Sequence, residues 1–177
     1  MHPHRSRTLT SDRSATRLLA VVDWTLDPAA VVSDLSRHAR TRNITFSLLV
    51  PAWLHGLDWV GDPTASVPCA ERQLSALQQL TNLAGVPVET ASVGDPDLGA
   101  ATGDLLDAWP AEEIVLYTRE GHIVVPWPFG PASRVARASG LPVSRVAVRG
   151  KESLARARRW FARRRNGHCA LPQAHLA

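Results

Sequence analysis

Arg17-Leu18-Leu19-Ala20-Val21-Val22-Asp23 decides the fold. Its five apolar residues run without polar alternation and stop at an aspartate. A run that short and that uniform reads as a β-strand buried on both faces, the kind found in parallel sheets. Just beyond it, Asp27 is placed to cap a helix, Pro28 suits a first helical turn, and Val31, Val32 and Leu35 form one apolar stripe. A second buried strand follows at Thr45–Val50 (TFSLLV). The unit strand–helix–strand is then complete.

The same alternation continues outward. Leu74, Leu77, Leu80 and Leu83 are spaced as one helix face that ends at Gly85. Val86–Val93 reads as the third strand, closed by Gly94-Asp95-Pro96-Asp97. Leu98–Trp109 reads as a helix with Leu105 and Leu106 inward, and Glu113–Thr118 as the fourth strand. Ser133–Ser139 is a short helix ending at Gly140, and Pro142–Val148 is the fifth strand. Alternating strands and helices imply right-handed crossovers. The expected fold is a three-layer α/β/α sandwich with a five-stranded parallel sheet of order 3-2-1-4-5.

The 177 residues suffice for one ordinary domain. Hydrophobic residues make up 45% and charged residues 20%, a globular balance. No run reaches the roughly 18 apolar residues of a membrane-spanning helix, and the polar, arginine-dotted start is unlike a secretory signal. Cys69 and Cys169 stand far apart, which favours thiols in a reducing cytoplasm over a disulfide scaffold. The net charge of +4 is uneven: residues 1–17 carry +3 and 149–165 carry +7, leaving an acidic body. We therefore divide the chain into a disordered basic tail (1–16), an α/β domain (17–148) and a basic amphipathic helix with a C-terminal tail (149–177). Charge at the ends rather than on one folded face is weak support for a nucleic-acid partner.

Ligands of open parallel sheets sit beyond the strands' carboxyl ends, where the strand order reverses. Here that crevice lies between the first and fourth strands, at Asp23-Trp24 and Thr118-Arg119-Glu120-Gly121. Asp23 has two readings, a ligand-binding group or a cap for the turn that follows, and the sequence leaves both open.

Three features together resemble the universal stress protein family: the Val22-Asp23 strand end, the Gly94-Asp95-Pro96 turn, and the closing SRVARASGLPVSRVAV at residues 133–148. The likeness covers residues 17–148 and is nearest to divergent single-domain actinobacterial versions. It implies the 3-2-1-4-5 sheet, frequent dimerisation and, in one subgroup, an ATP site built on G-x-x-G, nine residues, then G-[ST]. Glycines there let backbone N–H groups reach the phosphates. A gapless register sets Tyr117, Glu120, Gly130 and Pro131 at the four positions, so one of four survives. Tyr117 adds bulk, Glu120 adds like charge, and Pro131 removes both an N–H and a hydroxyl. No cofactor is expected. An adenine nucleotide is the disfavoured alternative, held through Asp23, Val50, Thr118, Gly121, Gly130 and Ser133.

No catalytic residue or metal ligand is assigned. GxSxG and HExxH are absent, and the seven histidines are scattered. Cys69 begins a helix, a setting that favours a thiolate, although a reactive thiol is the minority reading. The segment His122–Pro131 reads as a lid. The six tryptophans read as surface cover more than as an aromatic ligand site. Glu152–Arg165 carries the apolar stripe Leu154, Ala157, Trp160 and Phe161, read as docking on the acidic body. The alternative is a nucleic acid or an acidic membrane met through Arg156–Arg165. The fifth strand is an expected sheet edge, which makes a homodimer with Val143, Val146 and Val148 at its interface the expected assembly. The sequence thus favours a non-catalytic module acting through protein partners or a small ligand.

Overall fold

The computed structural model describes residues 15–53, 66–120 and 130–151. Five strands and four helices alternate along the chain. They are β1 (Thr16–Val22), α1 (Pro28–Thr41), β2 (Ile44–Pro51), α2 (Val67–Ala84), β3 (Val88–Gly94), α3 (Leu98–Ala108), β4 (Glu113–Arg119), α4 (Pro131–Ser139) and β5 (Val143–Val148). All neighbouring strands pair in parallel, in the order β3-β2-β1-β4-β5. The switch in strand order therefore falls between β1 and β4, as the sequence led us to expect.

The unbroken apolar run of β1 is explained by its two faces. Leu18, Ala20 and Val22 pack with α1 and α2, while Leu19 and Val21 pack with α3 and α4. β2 and β4 divide their residues likewise: Phe46, Leu48, Val50, Val115 and Tyr117 on the first face, Leu49, Ile114 and Leu116 on the second. Full burial on both sides removes any need for polar alternation.

Local signals place the helices. Asp27 accepts from the Ala29 N–H at 3.2 Å and Pro28 opens α1, whose Val31, Val32 and Leu35 are buried. Asp97 caps α3 by accepting from the Gly99 and Ala100 N–H groups. α4 starts at Pro131, two residues earlier than expected, because a proline fits the first helical position. β3 starts at Val88 rather than Val86, since the Val86 N–H is spent on the Thr81 carbonyl at the end of α2. Gly94 ends β3 where a Cβ would stand 2.7 Å from that of Ala101 and 2.8 Å from a Leu49 methyl, so only glycine lets α3 lie this close.

The leucine face of α2 needs correction. Leu77 is fully buried and Leu74 and Leu80 pack at the core's margin, but Leu83 is 85% exposed. Each three-residue step falls about 60° short of a full turn, so three steps carry Leu83 to the opposite side of the helix. Gln73, one residue from Leu74, is buried instead and donates to the Leu26 carbonyl.

After β5 the chain does not leave the body at once. The Glu120 N–H donates to the Val148 carbonyl, the Asp27 N–H to Arg149, and the Lys151 N–H to Thr25. Leu26 and Gly150 form an antiparallel bridge. Residues 149–151 thus cross the end of β4 and tie β5 to the β1–α1 connection. No helix among the described residues is long and apolar enough to cross a membrane.

Candidate functional site

The carboxyl ends of β1 and β4 meet in register. Val22 pairs with Tyr117, which sets Asp23 beside Thr118 one step further on. Strand alternation puts both on the face covered by α3 and α4. Asp23 is only 4% exposed, and its Oδ1 accepts from the Thr25 N–H at 2.8 Å and from the Thr25 hydroxyl at 2.9 Å. The turn-capping role is therefore present. It does not exclude a ligand, because a carboxylate has about four lone-pair sites.

The α1 side of the crevice is walled. The Trp24 indole N–H donates to the Trp53 carbonyl at 2.8 Å and links the connections after β1 and β2. The Lys151 ammonium donates to the Trp24 carbonyl at 3.0 Å, and burial pulls its pKa below the usual lysine value. Arg119 lies against Gly150, where a Cβ would come within 2.8 Å of the guanidinium.

The α4 side carries donors. α4 opens at buried Gly130 with no side-chain cap, and Pro131 supplies no N–H. Ser133, in the first turn, is 6% exposed. Thr118 is buried, and its Oγ1 accepts from Arg145 Nε at 2.9 Å. Arg145 was missed at the level of sequence. The signal was there: an arginine between valines in a strand must leave on one face, and that face is the α4 side of the crevice.

Asp23, Thr118, Gly130 and Ser133 are thus gathered at one end of the sheet, with buried Val50 two strands from Thr118. Gly121 lies outside the described residues, as do His122–Phe129, Trp59, Trp127 and Arg156–Arg165 with Trp160. Tyr117 does not crowd the crevice as expected. Its ring is fully buried in the α1 face of the core, its hydroxyl donates to Asp34 Oδ2 at 2.9 Å, and burial pushes the phenol pKa up. Glu120 is exposed. Of the three valines expected at an interface, Val148 is buried in the core, while Val143 and Val146 are half-buried and pack at the margins of the two core clusters. Among the described residues no three acidic, histidine or cysteine side chains group as a metal site would require.

No family model matches the chain, and no curated protein does. Solved structures do match. One is a universal stress protein in complex with cAMP, at TM-score 0.52 and 18% identity, covering 76% of this chain and 98% of that one. A universal stress protein from Archaeoglobus fulgidus matches at TM-score 0.51 and 22% identity, with 73% and 92% covered. A member of the family from Burkholderia pseudomallei matches at TM-score 0.51 and 16% identity, with 75% and 96% covered. This chain has the universal stress protein fold. At these identities the likeness is one of architecture. Within the universal stress protein frame, the crevice described above lies at the switch point of the sheet.

Proposed function

We propose that this chain is a non-catalytic module of the universal stress protein type that takes a small ligand at the crevice between β1 and β4 and does not hold a triphosphate. The observation that carries the reading is the opening of α4. Pro131 occupies the first helical position, with neither N–H nor hydroxyl, where the family's ATP motif sets a serine or threonine. Exposed Glu120 adds a carboxylate where the motif sets a glycine, and Tyr117 is committed to the core. Two lost charge-assisted hydrogen bonds at ~1.5–3 kcal/mol each carry a micromolar site to about millimolar.

A second reading, an adenine nucleotide with a single phosphate, is favoured by the solved protein of this fold that holds cAMP. The residues available for it here are Asp23, Val50, Thr118, Gly130 and Ser133. We place the protein in the cytoplasm, as a homodimer. The arginine-rich segment beyond Lys151 docks on the acidic body in this reading, with nucleic acid or an acidic membrane as the competing partner.

Calorimetry with ATP, AMP and adenosine tests the proposal, with native mass spectrometry of the freshly purified protein to reveal a carried ligand. We expect ATP to bind no more tightly than about millimolar. An ATP dissociation constant below about ten micromolar overturns the reading.

A further inference from the structure

The two faces of the sheet are covered unequally at β3. On one face Val88, Ala91 and Val93 pack against the core cluster that α1 and α2 complete. On the other, no β3 residue belongs to the core cluster among the described residues. The cause is topological: α3 carries the chain from β3 to β4, across β2 and β1, and so leaves the outermost strand behind. Thr90 and Ser92 are only half-buried, and an open groove of about 210 Å³ lies between β3 and α3. Leu49, Ala101 and Leu105 give it apolar surface, and it is also lined by Asp95 and Asp104, both exposed.

Charge is segregated along the chain to match. Residues 73–118 hold seven carboxylates and no lysine, arginine or histidine, whereas residues 152–165 hold six arginines and one glutamate. Asp97 is paired with Arg134, but Asp104 and Asp107, one turn apart on α3, are exposed and meet no cation among the described residues.

We infer that the groove between β3 and α3 is the seat of this chain's own arginine-rich segment, residues 152–165. The inference rests on the reading that this segment docks on the acidic body, and it names the surface. At helical spacing Leu154, Ala157, Trp160 and Phe161 share one side, bordered by Arg156 on one flank and by Arg158 and Arg165 on the other. An apolar groove edged with carboxylates is the complement of such a stripe. The reach is also sufficient. The Lys151 ammonium meets the Trp24 carbonyl, the Trp24 indole meets the Trp53 carbonyl, and the neighbouring Ala52 N–H donates to Gly94, which lines the groove. Two strand spacings, about 10 Å, separate β1 from β3, a span that the steps from Lys151 to Leu154 cover when extended. Apolar burial supplies the hold, and the charges supply register and sensitivity to salt.

The experiment uses the full chain with Cys69→Ser, Cys169→Ser and Arg163→Cys, its single thiol carrying a nitroxide. Nitrogen-15 NMR follows the amides of Ser92, Gly94, Asp104 and Leu105, with Ser36 and Ala39 of α1 as distant controls. We expect the first four to broaden, the controls to stay sharp, and reduction of the nitroxide to restore the signals. Asp104→Lys with Asp107→Lys should abolish the broadening, as should Trp160→Ala, whereas Glu71→Lys on the opposite layer should leave it. A mixture of nitroxide-bearing chains with nitrogen-15 chains should show none. Broadening centred on another face overturns the groove and leaves the docking reading standing. No broadening anywhere on the body overturns both, and a short oligonucleotide or vesicles of anionic lipid added to that sample show which partner the arginines serve. Broadening that survives the paired aspartate changes or Trp160→Ala, or that passes between chains in the mixture, overturns the seat.

Discussion

Asp97 does several jobs with one carboxylate. It accepts from the Ala100 and Gly99 N–H groups at the start of α3 and pairs with Arg134 of α4 at 2.8 Å. These contacts, the Ala100 bond foremost, hold its pKa below the ordinary 3.8. A depressed folded-state pKa contributes stability that is fully present above the unfolded value and disappears as pH falls through the folded one. Asp97→Ala should therefore cost about 0.5–2 kcal/mol at pH 7, the worth of an N-cap, and the gap to wild type should close below about pH 4. Urea unfolding at several pH values measures it, and a gap that persists at pH 2 refutes the assignment. A cap of this kind is legible in sequence because its partners lie two and three residues away. The Tyr117–Asp34 bond is not legible, since 83 residues separate its ends. Asp34 sits on the Val31–Leu35 stripe and is buried, with Arg37 paired to it and His38 at 3.5 Å. Tyr117 reads as a misplaced phosphate-loop residue. Restoring the family's cradle with Tyr117→Gly would open a hole in the core rather than a ligand site, so Glu120→Gly with Pro131→Ser is the sound variant.

Elements were legible wherever burial on two faces or a cap within four residues decided them, as in β1, α1 and β4. The exceptions mark where periodicity and packing part company. A leucine every third residue looks like one face of α2, but only the middle of that series meets the sheet. Leu77→Ala is expected to cost about 2–5 kcal/mol, the range for an emptied core position, whereas Leu83→Ala should change stability by less than about 0.5 kcal/mol. Equal losses at the two positions, measured by thermal or urea unfolding, would show that Leu83 is covered by a partner. The crevice itself was legible as a location, since strand alternation and order fix where a sheet's polar residues gather. Its donor set was not. Arg145 joins Thr118 through a diagonal between neighbouring strands, a relation that depends on the β4–β5 register. Strand alternation gives the face on which Arg145 leaves, but not that register, and so not its bond to Thr118.

At the scale of the whole molecule β3 and β5 are the edge strands of the sheet among the described residues. β3 is ill suited to pairing: its register against β2 shifts between Phe46 and Ser47, and Glu89 lies on the strand. Irregular pairing and charge are the usual defences of an edge. β5 pairs with β4 in unbroken register. The carbonyls of Pro142 and Val148 accept from Ile114 and Glu120 of the β4 side, so alternation turns the backbone groups of Val143, Arg145 and Ala147 to the open edge. Val148 serves the core and Val143 and Val146 are half-buried at its margin, so what the edge offers a second copy is chiefly its backbone. Two copies related by a two-fold axis would satisfy both edges through the same residues. Light scattering at tens of micromolar should therefore give the mass of two chains. Ala147→Pro removes one outward N–H and adds bulk at the edge without touching the β4 ladder, and it should yield monomers with the circular dichroism of the wild type. Monomer mass for the wild type across that concentration range would rule out the β5 dimer. A dimer that survives Ala147→Pro would move the interface to β3 or to residues beyond Lys151.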